Sequence, residues 1–289
     1  MRSLPSRILF VSGMLLLAAC SDRDGDFGLR KTQRVQAVDL VLLENGRPDP
    51  SVLAAEQVVY RGNGDEPETL DPHRADGIPA SHILRDLFEG LTSESPEGQV
   101  IPGAALRWNI SRDARTYTFY LHRDLVWSNG EPLDAHDFVY SLRRAASPET
   151  ASSDANTLLP ILNAREVLAG ELPIEELGIT LLDEYTMQIT LTGPTPYFLG
   201  LLAGPVGYPV NKANVEAFGA EFARPGNLVS NGAYGLKAWN PRGSIELEKT
   251  PLFREALDTL IETGFYIPTD DQSTEVKQGR AGELEWASV

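Results

Sequence analysis

One cysteine in 289 residues is the first constraint. A lone thiol closes no internal disulfide and supplies no cysteine-rich metal site. Positive charge is scarce as well: 25 Lys and Arg stand against 41 Asp and Glu, a formal net charge of −16. Nucleic-acid binders gain much of their affinity by neutralising phosphates, so no nucleic-acid partner is expected. Catalytic signatures are missing too: there is no G-x-S-x-G elbow, no P-loop and no H-E-x-x-H. Gly62-Asn63-Gly64 is not a dinucleotide fingerprint, because Pro67 stands where the third glycine is needed. His73, His82, His122 and His136 match no standard metal spacing, so neither metal nor other cofactor is expected. The reading is of a protein that is not an enzyme. A hydrolase built on a carboxylate pair competes with it, carried by the number of acids alone.

Long apolar runs are also absent, except near the start. Arg2 and Arg7 precede an apolar run from Ile8 to Ala19 that only Ser12 and Gly13 interrupt. A positive flank before a short apolar core is the pattern of a secretory signal, and the run is short for a bilayer span. It ends in Leu17-Ala18-Ala19-Cys20, which resembles a bacterial lipobox. The expectation is a signal peptide over 1–19 and lipidation of Cys20, so that acyl chains supply the membrane anchor. Residues 20–55 read as a polar tether. Asp22, Asp24 and Asp26 have the spacing of the first EF-hand ligands, but Phe27 and Gln33 occupy positions that need Gly and Glu, leaving a solvated acidic linker. Val38–Leu43 stays open between a short strand and a helical turn.

What remains is long enough to bury a sizeable core. Val58-Val59-Tyr60 reads as a strand, and Ile83, Leu84, Leu87, Phe88 and Leu91 recur at helical spacing up to Gly90, a candidate helix stop. Tyr117, Phe119 and Leu121 alternate with Thr118, Tyr120 and His122, the period of a half-buried strand. Asp134 and Asp137 signal a helix start, with Leu133 and Phe138 spaced as a hydrophobic staple. Further strands are expected over Leu177–Leu182, Met187–Leu191, Ile245–Leu247 and Leu260–Ile267. Strands and helices interleave without a strict βαβ rhythm, so the fold class is α/β of mixed α+β type.

Ordered blocks then carry a resemblance. Thr69-Leu70-Asp71-Pro72-His73, Arg85-Asp86-Leu87-Phe88-Glu89-Gly90-Leu91, Trp127-Ser128-Asn129-Gly130, Pro196-Tyr197-Phe198 and Asn231-Gly232-Ala233-Tyr234 are similar to bacterial extracytoplasmic oligopeptide-binding proteins that feed peptide ABC importers. The resemblance implies a periplasmic-binding-protein-like, two-lobed fold that closes on an oligopeptide ligand. It also implies a periplasmic location on the lipid anchor and delivery to an ABC permease complex of the inner membrane. In this family the ligand lies extended and its main chain is paired like an added strand. A peptide-contacting segment falls on Asp76, Gly77 and Ile78; the residues by themselves leave open a plain turn at Asp76-Gly77.

The same resemblance organises the chain as a discontinuous first lobe over 56–100 and 210–267, with an inserted subdomain at 101–209. Residues 268–289 begin a second lobe that is missing from this chain. Relatives carry a ligand-facing tyrosine where this sequence has Ser153-Asp154-Ala155-Asn156. A non-transporting remnant or interaction lipoprotein is the alternative function.

Overall fold

The computed structural model describes residues 53–287. The expected signal peptide 1–19, Cys20, the acid triplet, Val38–Leu43 and nearly all of the expected 20–55 tether lie outside the described residues. In chain order the strands are β1 (Val58–Gly62), β2 (Thr92–Glu94), β3 (Val100–Pro102), β4 (Ala105–Ile110), β5 (Thr116–Leu121), β6 (Ile179–Asp183), β7 (Thr186–Thr190), β8 (Tyr234–Asn240), β9 (Ser244–Lys249) and β10 (Thr263–Ile267). The helices are α1 (Gly77–Leu87), α2 (Ala135–Ala146), α3 (Ala164–Leu168), α4 (Phe198–Leu201), α5 (Lys212–Phe218) and α6 (Gln272–Ala281).

The strands form two four-stranded sheets and one ribbon of β2 with β3. The first sheet has the order β1-β10-β9-β8, parallel at β1–β10 and antiparallel elsewhere. The second is antiparallel throughout, in the order β4-β5-β7-β6. The mixed α/β class read from the sequence is the class the chain adopts.

Each sheet is covered on one face by residues whose period dictates it. In β5, Tyr117, Phe119 and Leu121 are buried while their neighbours are half-exposed, the alternation of a strand with one dry face. Phe119 pairs with Met187 across β5 and β7, and Phe138, Leu142 and Ala145 of α2 join them in one buried cluster drawn from Leu91 to Val206. A second cluster takes Leu70, Ile83, Leu84, Leu87 and Phe88 from before that stretch. Tyr208, Val210, Phe222, Ile245, Leu247 and Tyr266 join it from beyond. Fully burying each such aliphatic or aromatic side chain stabilises by about 1.5–3 kcal/mol.

Helix α2 begins as its sequence requires. The Asp134 carboxylate accepts from the His136 N–H at 2.7 Å, and the Asp134 N–H donates to Asp137 Oδ2 at 3.0 Å, a reciprocal cap. Helix α1 departs from expectation at its end. It stops at Leu87, with Phe88 extended (φ −133°, ψ 153°), and Leu91 lies beyond it. Gly90 therefore does not end a helix. A Cβ there would sit 2.6 Å from the Leu202 carbonyl oxygen, so glycine is required by a close backbone approach. His122 lies just past β5, and the Leu177–Leu182 strand starts two residues late, at Ile179.

Near its other end the chain returns to the first sheet. The Glu285 N–H donates to the Tyr60 carbonyl at 2.9 Å, and the Gly62 N–H donates to the Trp286 carbonyl at 2.8 Å. Glycine at 62 leaves room for the Glu275 carboxylate of α6, which a Cβ would overlap.

The two clusters are tied through charge. Arg144, in the last turn of α2, donates to both carboxylate oxygens of Asp71 at 2.9 and 2.6 Å. The same guanidinium donates to His73 Nδ1 at 2.8 Å, and His73 Nε2 meets the Tyr208 carbonyl at 3.0 Å. Arginine only donates, so Nδ1 must accept and Nε2 must carry the ring proton. Burial, with Arg144 adding to it, pushes the imidazole down to about 4 and keeps it neutral.

Two stability measurements follow. Replacing Arg144→Met strands a buried carboxylate and should cost about 3–5 kcal/mol in urea unfolding, with Asp71→Asn in the same chain restoring a large part. Unfolded His73 binds a proton near 6.5 and the folded ring only near 4, so stability falls as pH drops across that window. The loss is about 1.4 kcal/mol per pH unit. His73→Gln, compared with the parent chain at pH 7 and at pH 4.5, should show a smaller difference between its two urea midpoints. Glu89 works in the opposite sense, its carboxyl pushed up to about 7 by burial against the pull of Arg254 at 2.6 Å. It is common to both chains and cancels.

Candidate functional site

Asp76, Gly77 and Ile78 stand together at the start of α1. Asp76 is the N-cap residue (φ −129°, ψ 151°), yet its side chain makes no capping bond, so the exposed carboxylate is not engaged by its own helix. Gly77 has φ +82°, in the left-handed region that favours glycine. Ile78 is 70% exposed, a large apolar side chain directed to solvent at the first turn of a helix. Helix starts leave N–H groups without intrahelical partners, so this segment offers backbone donors, an apolar side chain and a negative charge within three residues.

Most of what holds the segment is buried. Ala80, Ile83, Leu84 and Leu87 anchor α1 in the second cluster. The Asn63 side-chain amide donates to the Pro79 carbonyl at 3.1 Å, joining the end of β1 to the first turn. The Tyr266 hydroxyl of β10 donates to Asp86 Oδ2 at 2.5 Å, fixing the last turn to the sheet. Burial raises the Asp86 carboxyl, and the Tyr266 hydroxyl opposes that shift. Behind Asp76, the Asp71 carbonyl accepts from the Arg74 and Ala75 N–H groups at 3.0 and 2.8 Å. The loop is thus locked by the same residue that binds Arg144.

The structure brings a second segment to this edge. Ser153 Oγ donates to the Ala75 carbonyl at 2.9 Å, which sets Ser153-Asp154 beside Ala75-Asp76. Asp154 is exposed and, like Asp76, precedes a helical turn (Ala155–Leu158) without capping it. Two uncommitted carboxylates thus flank one backbone edge. Sequence reasoning singled out Asp76 and the Ser153–Asn156 stretch separately, but it had no signal for the bond that joins them, nor for Arg144. Both connections span more than 70 residues, and neither residue carries a motif of its own.

Among the described residues no group of three or more His, Cys, Asp or Glu is arranged to hold a metal ion. His73 is spent inside the Asp71–Arg144 network. Among the described residues no helix is long and apolar enough to cross a membrane.

Residues 99–289 match the family model described as bacterial extracellular solute-binding proteins, family 5 Middle. The periplasmic oligopeptide-binding protein OppA of Escherichia coli (strain K12) is 42% identical over 240 residues, covering 82% of this chain and 44% of the relative. Among solved structures, OppA of Burkholderia pseudomallei superposes with a TM-score of 0.79 at 36% identity, over 81% of this chain and 46% of that one. OppA of Haemophilus influenzae, solved in complex with RPPGFSPFR, gives a TM-score of 0.77 at 36% identity, over 80% and 46%. The chain spans about half the length of the curated relatives it matches. On the family model, the shared blocks and the superposable fold, it belongs to the bacterial extracellular solute-binding proteins of family 5.

Proposed function

We propose that the chain provides one wall of the solute cleft in the lipid-anchored, substrate-binding component of a peptide ABC importer. One observation carries this reading within its family: Asp76-Gly77-Ile78 is exposed, while most of the groups that position it are buried and hydrogen-bonded. A rigid edge with free backbone donors suits an extended ligand recognised by its main chain, because backbone pairing is indifferent to side-chain identity. Asp76 and Asp154 on either side of that edge favour a ligand with positive charge, such as an amino terminus or a lysine. The peptide bound to the Haemophilus influenzae relative begins and ends in arginine, which agrees with this chemistry.

The chain is organised in this reading as a signal peptide (1–19), a tether (20–55) and a first lobe formed by 56–100 and 210–267. An inserted subdomain occupies 101–209, and 268–289 begin a second lobe. The two buried clusters support that division, since one is contributed from both sides of the other in sequence. Cys20 carries the lipid, which holds the protein at the periplasmic face of the membrane, where it hands its ligand to the permease.

An NMR titration of the full chain with trilysine and with triglutamate tests the cleft. Amide shifts are expected at residues 76–78 and 153–154, with trilysine bound about two- to fivefold more tightly and Asp76→Asn reducing that preference. Shifts confined elsewhere, or equal affinity for both peptides, defeat the assignment. Labelling with radioactive palmitate in a bacterial host tests the anchor: Cys20→Ala should abolish incorporation, and unchanged labelling rules Cys20 out.

A further inference from the structure

A concavity of about 780 Å³ runs along α2, well within the size range of small-ligand sites. Tyr140 and Arg143 stand three residues apart on the face of α2 that lines it, Phe138, Leu142 and Ala145 are buried in the first cluster, and Val139 belongs to both. Ile174, Leu181 and Val215 add apolar surface from three other segments. Glu149 and Glu175 also line it, but both are exposed, whereas Arg143 is half-buried.

The charge inside this groove is unevenly committed. Arg144 is saturated by Asp71 and His73. Arg143 makes a single long bond, from Nη2 to the Glu175 carbonyl at 3.3 Å, and its Nε is buried without any hydrogen-bond partner. A covered guanidinium N–H without an acceptor is costly, and the Nε and Nη2 edge has the geometry that receives both oxygens of a carboxylate. A neutral apolar ligand would leave that donor unsatisfied, and a bare anion would leave the apolar walls wet.

We propose that the groove binds a small amphiphilic carboxylate. Arg143 turns its covered Nε and Nη2 edge toward that carboxylate, and the apolar body lies on Val139, Tyr140, Ile174, Leu181 and Val215. Asp71, Arg74 and Thr150 also line the groove, so it adjoins the Asp76 edge, but the proposal does not depend on the peptide reading.

Calorimetric titration of the full chain with decanoate, decanol and inorganic phosphate tests it. Decanoate is expected to bind saturably at one site. Decanol and phosphate should each bind at least about tenfold more weakly, because each lacks one half of the recognition. Arg143→Gln and Val215→Glu should each weaken decanoate by about tenfold or more while far-UV circular dichroism is retained, and Ile78→Ala should leave it unchanged. Should Arg143→Gln fail to fold, Arg143→Lys serves in its place, keeping the charge but losing the planar fork. Affinity within twofold of the parent in the arginine variant, loss of affinity in Ile78→Ala, or uptake that never saturates would each overturn the proposal.

Discussion

The bidentate contact between Arg144 and Asp71 is the constraint on which the rest of the described structure depends. It is largely covered at both ends, with side-chain exposures of 14% and 5%, so water replaces little of what either charge would lose. Desolvating two ions is expensive, and the arrangement is tolerable only because every strong polar group in it has a partner. Arg144 belongs to α2, which packs on the antiparallel sheet. Asp71 belongs to the loop that leads into α1, which packs on the mixed sheet. The pair therefore sets where one hydrophobic cluster stands relative to the other, something apolar contact alone specifies poorly because it has no direction. Its second duty is local: the Asp71 backbone and carboxylate shape the turn that presents Asp76.

Order and exposure at the Asp76 edge are two sides of the same economy. The residues on display make few bonds of their own, and the neighbours that hold them make many. Gly77 accepts a backbone conformation that other residues resist, Asn63 pins the first helical turn, and Asp86 with Tyr266 pins the last. An exposed edge kept stiff in this way would give up little conformational freedom on meeting the proposed ligand.

The sequence was most legible where a period or a cap fixes structure over a few residues. Tyr117, Phe119 and Leu121 announced β5, and Asp134 with Asp137 announced α2 and its capping box. Helix α1 was legible in its apolar stripe but not at its end, because Phe88 and Leu91 continue the spacing although the backbone has already turned extended. Gly90 illustrates why: its role depends on Leu202, a residue remote in sequence that local reasoning could not bring near. The site followed the same pattern. Asp76, Gly77 and Ile78 were reached through resemblance to a family, whereas Ser153 and Arg144 entered only once tertiary contacts were known. Cys20 lies outside the described residues.

The return of the chain to β1 has a consequence for solubility. A sheet of four strands has two rims of unpaired peptide groups, and such rims recruit strands from other molecules. On one rim, Glu285 and Trp286 occupy hydrogen-bonding groups of β1. On the opposite rim, β8 is interrupted by an irregularity between Leu236 and Ala238 and carries the ammonium group of Lys237. One rim is thus partly covered by the chain itself, and the other is bent and charged, so neither offers a long flat template on which further copies could stack.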